Sequence, residues 1–151
     1  MTGAQAVLQF LRRHRTICID TAVLIYWVED HPKYAPFLQP LFSWLDRESS
    51  RAVTSTVSLL EILVKPYRES NIDLVNRFYA LLVSHPGLQW IDLTLPIADR
   101  AANIRAEHNL RTPDAIQAAT ALHSGATGLI GNDSVFERLT DLEILTLERI
   151  S

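Results

Sequence analysis

The stretch Thr16–Trp27, TICIDTAVLIYW, decides the fold of this 151-residue chain. Ile17, Cys18 and Ile19 form a short apolar run rich in β-branched residues, the pattern of a strand covered on both faces in a parallel sheet. Such a strand belongs at the centre of the sheet. Asp20 stands where the run stops. Thr21 and a second run, Ala22–Val28, apolar on every side, then predict a buried helix. A carboxylate at the carboxyl end of a buried strand, facing a helix start, occupies the place where open α/β sheets hold their ligands. It is also costly for a lone charge, so Asp20 either caps the helix or belongs to a site with a cation or donor nearby.

Working outward, further apolar runs alternate with helical patterns. Phe37, Leu38, Leu41, Phe42 and Leu45 recur at helical spacing around Pro40, where the helix is expected to start or bend. Strands are expected at Arg51–Ser55, Leu88–Leu93, Thr127–Gly131 and Glu143–Leu147. Helices are expected at Thr56–Lys65, ended by Pro66, and at Ser70–Ser84, capped by Ser70. Another opens at Pro96, and one begins at Thr112-Pro113-Asp114 with Thr112 as cap and runs to near Gly125. A short helix covers Ser134–Leu139. Strands separated by helices in this order predict an α/β fold, a parallel sheet with helices on both faces.

The length suits one domain over residues 1–151, large enough to bury a core without staples. The only cysteine, Cys18, lies in the apolar strand, so disulfides and thiol metal clusters are excluded and a cytoplasmic setting is expected. Basic residues follow the apolar ones near the start, the reverse of a secretory signal, and no stretch approaches transmembrane length; a soluble protein without membrane partners is expected. The net charge of -3 argues against a nucleic-acid coating protein but leaves room for an enzyme acting on nucleic acid.

Four acids stand at strand-to-helix junctions or in first helical turns: Asp20, Glu61, Asp114 and Asp133. Parallel strands point one way, so these junctions share one edge of the sheet and the carboxylates can converge. Converged carboxylates repel, and a hard divalent cation with oxygen preference, Mg²⁺ or Mn²⁺, relieves them. Each acid also has a structural reading. Glu61 completes a capping-box pattern with Ser58, unless the helix starts at Ser55 or Thr56, where that role fails. Asp114 suits the helix dipole, and Asp133 suits a turn cap. The histidines show no metal-binding spacing, and neither a glycine-rich phosphate loop nor a GxSxG elbow is present.

ICIDTAVLIYWVE, TSTVSLLEIL, LRTPDAIQAATAL and LIGNDSVFERL, in this order, resemble the PIN domain of metal-dependent ribonucleases, and within it the VapC-type toxins of toxin-antitoxin pairs. The resemblance implies a three-layer α/β/α sandwich with a mostly parallel five-stranded sheet. It also implies Mg²⁺- or Mn²⁺-dependent hydrolysis of RNA, a homodimer, and a cognate antitoxin whose tail blocks the acidic groove. It assigns the site to Asp20, Glu61, Asp114 and Asp133, with Asp20 and Asp114 holding one ion and Glu61 and Asp133 a second ion or its waters. Thr21 matches the hydroxyl residue after the first Asp, and Phe136 a structural aromatic. One place departs: Gly131 stands where the last block carries Thr or Ser, leaving Asn132 or Ser134 to compensate. Arg111, with Lys65, Arg68 and Arg105, is either an RNA-backbone contact or a solvated charge. Two rivals remain: a catalytically weak or inactive PIN-like module binding RNA or protein, and a phosphate-handling enzyme of the haloacid dehalogenase or response-regulator kind. The dehalogenase type expects an Asp where Ala22 stands.

Overall fold

The computed structural model describes residues 1–151. Its five strands are β1 (Thr16–Ile19), β2 (Arg51–Ser55), β3 (Leu88–Ile91), β4 (Gly128–Gly131) and β5 (Glu143–Thr146). They form one sheet in the order β3-β2-β1-β4-β5, with every pairing parallel. The stretch around Ile17–Ile19 is thus the middle strand. The chain builds outward from β1 to β2 and β3, then crosses back to β4 and β5. The order reverses beside β1, and at such a point the carboxyl ends of neighbouring strands open a crevice.

Seven α-helices cover the sheet: α1 (Gly3–Arg12), α2 (Thr21–Val28), α3 (Ala35–Leu45), α4 (Thr56–Arg68), α5 (Ile72–Phe78), α6 (Leu95–His108) and α7 (Thr112–His123). The result is a three-layer α/β/α sandwich. Alternation along β1 divides the core in two. Ile17 lies beside Ala52 and Gly128, and Ile19 beside Ile130; Ile17, Ile19, Ala52 and Ile130 pack with apolar residues of α1–α5 such as Phe10, Leu24, Leu38 and Phe78. Cys18 lies between Val53 and Leu129, on the opposite face, where they meet Ile97, Ala118, Ala119 and Phe136 beneath α6 and α7. Each fully buried Leu, Ile or Phe stabilises the fold by about 1.5–3 kcal/mol, so both faces are needed to hold the middle strand.

The structure corrects several local expectations. Residues 3–12 form a helix that apolar spacing alone had not marked; Thr2 accepts from the Gln5 amide while the Gln5 side chain accepts from the Thr2 amide, a complete capping box. Pro66 does not end α4 but lies buried within it, because packing of Ile62, Leu63 and Pro66 outweighs the lost backbone bond. Pro40 likewise sits inside α3. Asn71, not Ser70, caps α5 through its side chain, and Ser70 takes a left-handed φ of 53° at the end of the preceding turn. Beyond α5 the chain widens into a π-helical turn at Tyr79–Val83, which leaves Tyr79 and Leu81 exposed while Leu82 stays buried. Residues 134–138 form a 3₁₀ turn.

Candidate active site

The crevice beside β1 is a cleft of about 250 Å³ lined by Asp20, Thr21, Glu61, Arg111, Asp114, Asn132 and Asp133, with Ala22, Ile25 and Tyr26 as its apolar wall. The structure therefore brings the four acids to one place. Asp20 follows β1 directly, its amide bonded to the Ile130 carbonyl of β4 at 2.9 Å. It occupies the N-cap position of α2 yet makes no side-chain cap hydrogen bond. The capping account of Asp20 fails, and its carboxylate lines the cleft.

Glu61 points from α4. Because that helix starts at Thr56 with Ser55 as its capping side chain, Glu61 lies past the first turn and no capping box forms. Its carboxylate instead accepts a hydrogen bond from the Thr21 hydroxyl at 3.0 Å. Asp114 is in the first turn of α7, where the macrodipole favours it. The N-cap position there belongs to Arg111, with no side-chain cap bond, and Thr112 is the first helical residue rather than the cap. Asp133 does cap the 3₁₀ turn, accepting from the Val135 amide at 3.0 Å through Oδ1. Its Oδ2 lies 4.0 Å from Arg111.

Charge in the cleft is unbalanced. The lining holds four carboxylates and a single cationic side chain, Arg111. Burial, with the charges of Asp114 and Glu61 adding to it, pushes Asp20 up from 3.8 to about 7, although the Thr21 amide and the Gln117 side chain pull the other way. A carboxylate at that value exchanges its proton near neutrality, as ligands and general bases do. Cys18 behaves oppositely: burial first, then Asp20, holds its thiol well above the usual range, so it is an inert core group.

The donor set is all oxygen and suits a small hard cation. As arranged, no three of the acidic side chains are close enough to share one ion. Each of three has a partner of its own: Asp114 turns to Arg111, Glu61 to Thr21, and Asp133 to the Val135 amide. The residues fit such an ion by chemistry and by shared cleft, with no cationic side chain bonded to Asp20.

Thr21 does more than match a motif, since its hydroxyl joins Glu61 to Ser58 (2.8 Å). Asn132 is spoken for: its amide donates to the Tyr26 hydroxyl at 3.1 Å and its oxygen accepts from the Glu148 amide at 2.7 Å. Ser134 is exposed and outside the cleft. Neither replaces the hydroxyl absent at Gly131, whose position is close to Asp20: a Cβ there would lie 3.4 Å from the Asp20 Cβ.

Sequence reasoning missed Gln117. It is buried at 2% exposure in α7, where its oxygen accepts from the Ser55 amide (3.0 Å). Its nitrogen lies within reach of the Ile19 carbonyl (3.0 Å), Ser58 Oγ (3.0 Å), Thr54 Oγ1 (3.2 Å) and Asp20 Oδ1 (3.4 Å). One amide thus ties the ends of β1 and β2 to α4 and touches the central acid. Its signal in the sequence is a polar residue one turn after Asp114 among buried alanines.

With this arrangement in place, the family model described as PIN domain matches residues 17–142. The chain belongs to the PIN domain family. No curated protein matches its sequence significantly. Solved structures that share the PIN fold with it include VapBC2 from Rickettsia felis bound to a DNA fragment from their promoter. That match has a TM-score of 0.63 and 18% identity, over 87% of this chain and 98% of that one. A toxin-antitoxin complex from Klebsiella pneumoniae matches at TM-score 0.64 and 21% identity over 87% and 97%. VapBC-1 from nontypeable Haemophilus influenzae matches at TM-score 0.64 and 21% over 88% and 98%. At these identities the likeness is one of fold, and the PIN assignment rests on the family model.

Proposed function

We propose that this PIN protein is a divalent-cation-dependent endoribonuclease, the toxin of a type II toxin-antitoxin pair, with Asp20, Glu61, Asp114 and Asp133 as its acidic site. The observation that carries the reading is the meeting of these four acids in one cleft with a single cation among them, which leaves Asp20 poised near pH 7. The fold neighbours that are toxin-antitoxin complexes support the antitoxin as partner. The exposed apolar residues Leu60, Val64 and Tyr67 on α4 give such a partner contact surface. A homodimer and a cytoplasmic setting complete the reading. No helix is long and apolar enough to cross a membrane.

Asp20 and Asp114 would hold the ion, Mg²⁺ or Mn²⁺, with Glu61 and Asp133 beside it. When bound, that ion supplies Lewis acidity at the phosphate and lowers the pKa of a water in its shell. Asp20 caps no helix, and the Gln117 amide 3.4 Å from its Oδ1 steadies it in the cleft. Thr21 fixes one Glu61 oxygen, and the other would take a proton from the attacking water. The water oxygen bonds to phosphorus as the P–O3′ bond breaks, and the leaving O3′ departs with the bonding pair and takes a proton from solvent, giving a 5′-phosphate and a 3′-hydroxyl.

Asp20→Asn and Asp114→Asn tested on labelled single-stranded RNA in Mg²⁺ are expected to lose more than about a hundredfold in cleavage rate while remaining folded. Parent-like cleavage by Asp20→Asn would exclude this site. The alternative is a catalytically inactive PIN module that binds RNA or protein, favoured by Gly131 and by the protein partners that Asp114 and Asp133 already have. Failure of the parent and of Arg111→Gln alike to bind Mg²⁺ or Mn²⁺ by calorimetry would select it.

A further inference from the structure

Arg111 is placed where neither its helix nor the protein's stability asks for it. It holds the N-cap position of α7 with an extended backbone (φ -66°, ψ 155°) and caps nothing. A cation at a helix N-terminus faces the positive end of the dipole, so the helix gains nothing from it. Its side chain instead folds back over the first turn: Nε donates to Asp114 Oδ2 at 3.0 Å and Nη2 to Oδ1 at 3.5 Å, a two-pronged grip. The same Nη2 is 4.0 Å from Asp133 Oδ2. Hydrogen bonding and charge from Asp114, then the charges of Asp133 and Glu61, hold the guanidinium pKa above its usual value, so it feels three of the four acids.

Exposure is divided unequally between the partners. The Arg111 side chain is 74% exposed, that of Asp114 only 9%. The carboxylate is fixed in the fold, while the guanidinium lies over it from the solvent side. An ion pair with so exposed a partner contributes little to stability and is easily exchanged. It nevertheless engages both oxygens of Asp114 and lies 4.0 Å from Asp133 Oδ2, across the carboxylates of two acids in the cleft.

From this geometry we infer that Arg111 is a built-in, displaceable counter-ion, competing with the divalent cation for Asp114 and Asp133 and so setting the affinity of the site. The inference rests on the nuclease reading above, in that the same acids are taken as the cation site. Without the ion, Arg111 neutralises part of the acid cluster. With the ion, the guanidinium is released to solvent at the cleft mouth. Competition of this kind is a negative coupling between two cations for one set of oxygens, and it is reciprocal.

The test uses the whole chain. Mn²⁺ and, separately, Mg²⁺ are titrated calorimetrically into the parent, Arg111→Gln and Arg105→Gln, the last as a control for loss of one positive charge outside the cleft. Nitrogen-15 spectra follow the Arg111 Nε–H signal, assigned by its loss in Arg111→Gln. The expected result is binding about three- to tenfold tighter in Arg111→Gln but not in Arg105→Gln. With it, the parent's Arg111 Nε–H signal moves to the position of a solvent-exposed arginine as Mg²⁺ saturates. Binding by Arg111→Gln alone would support the competition in its strongest form. Cation binding in the parent with the Nε–H signal unmoved, or no gain in Arg111→Gln, would overturn the inference and leave the nuclease reading standing. No binding in any of the proteins would overturn both.

Discussion

The two edges of the sheet treat charge in opposite ways. At the amino ends of the strands, Glu143 at the start of β5 takes a hydrogen bond from Arg13 (2.9 Å) and lies 3.1 Å from His14 Nε2, while His14 Nδ1 is 2.7 Å from Thr127 Oγ1. Arg13 foremost, through its hydrogen bonds, holds Glu143 below the usual carboxylate range. At the carboxyl ends, Asp20 is half-buried beside other acids and driven up to about 7. The first edge has its charges matched within the protein and fastens α1 to the sheet. The second has an unmatched excess, which is the electrostatic form of a place that expects something from outside.

The comparison is most exposed to a pH measurement. Asp20 keeps its proton to about pH 7 in the folded protein and to 3.8 in the unfolded chain. Between those values the folded state holds the extra proton, so its stability falls as pH rises. In chelator-treated protein the loss from this group is expected to be on the order of 4 kcal/mol, measured by urea unfolding from pH 4 to pH 8. Asp20→Asn should flatten that slope. Glu143 acts with the opposite sign, its contribution being lost only as pH drops below the carboxylate range. An equal slope in parent and Asp20→Asn would erase the distinction between the edges.

Gln117→Leu comes next. It keeps most of the volume but strands the Ser55 amide and removes the donor near Asp20, at a cost of about 1–3 kcal/mol by urea unfolding. A loss within error would mean that the amide network is slack and does not hold the site. Glu143→Gln is expected to cost about 1 kcal/mol or less, because its ion pair with Arg13 is half exposed and screened. RNA cleavage should stay at the parent's level. A large fall in cleavage would join the two edges functionally.

Gly131→Ser is the smallest change and sharpens the acidic edge itself. The new Cβ would meet Asp20, Leu129 and Phe136 atoms at 3.4–3.5 Å, ordinary contact distance. Stability should shift by less than about 1 kcal/mol, and cleavage of RNA should rise as a hydroxyl is restored beside Asp20. A fall would show that the glycine serves the site as it stands.

The alternation of apolar runs and helical patterns in the amino-acid order determined the parallel sheet, its middle strand and the acids at its carboxyl edge. Those signals are local: side-chain period, strand composition, and the residue type at a strand's end. Even α1 had a local signal in its Thr2–Gln5 cap, although its apolar face alone left it unmarked. Pro66 within α4 shows where local rules yield, since a proline's helix-breaking cost is visible in the sequence and its compensating burial is not. The roles of Gln117 and Arg111 were decided by the folded molecule. A glutamine among alanines gains meaning only when α7 brings it against Ser55, Ser58 and Asp20, and an arginine ahead of a helix only when its guanidinium lies across Asp114 toward Asp133. Chain order could nominate the acids; the partners that decide how each is held come from elements far apart in sequence, brought together by the burial of the two apolar faces.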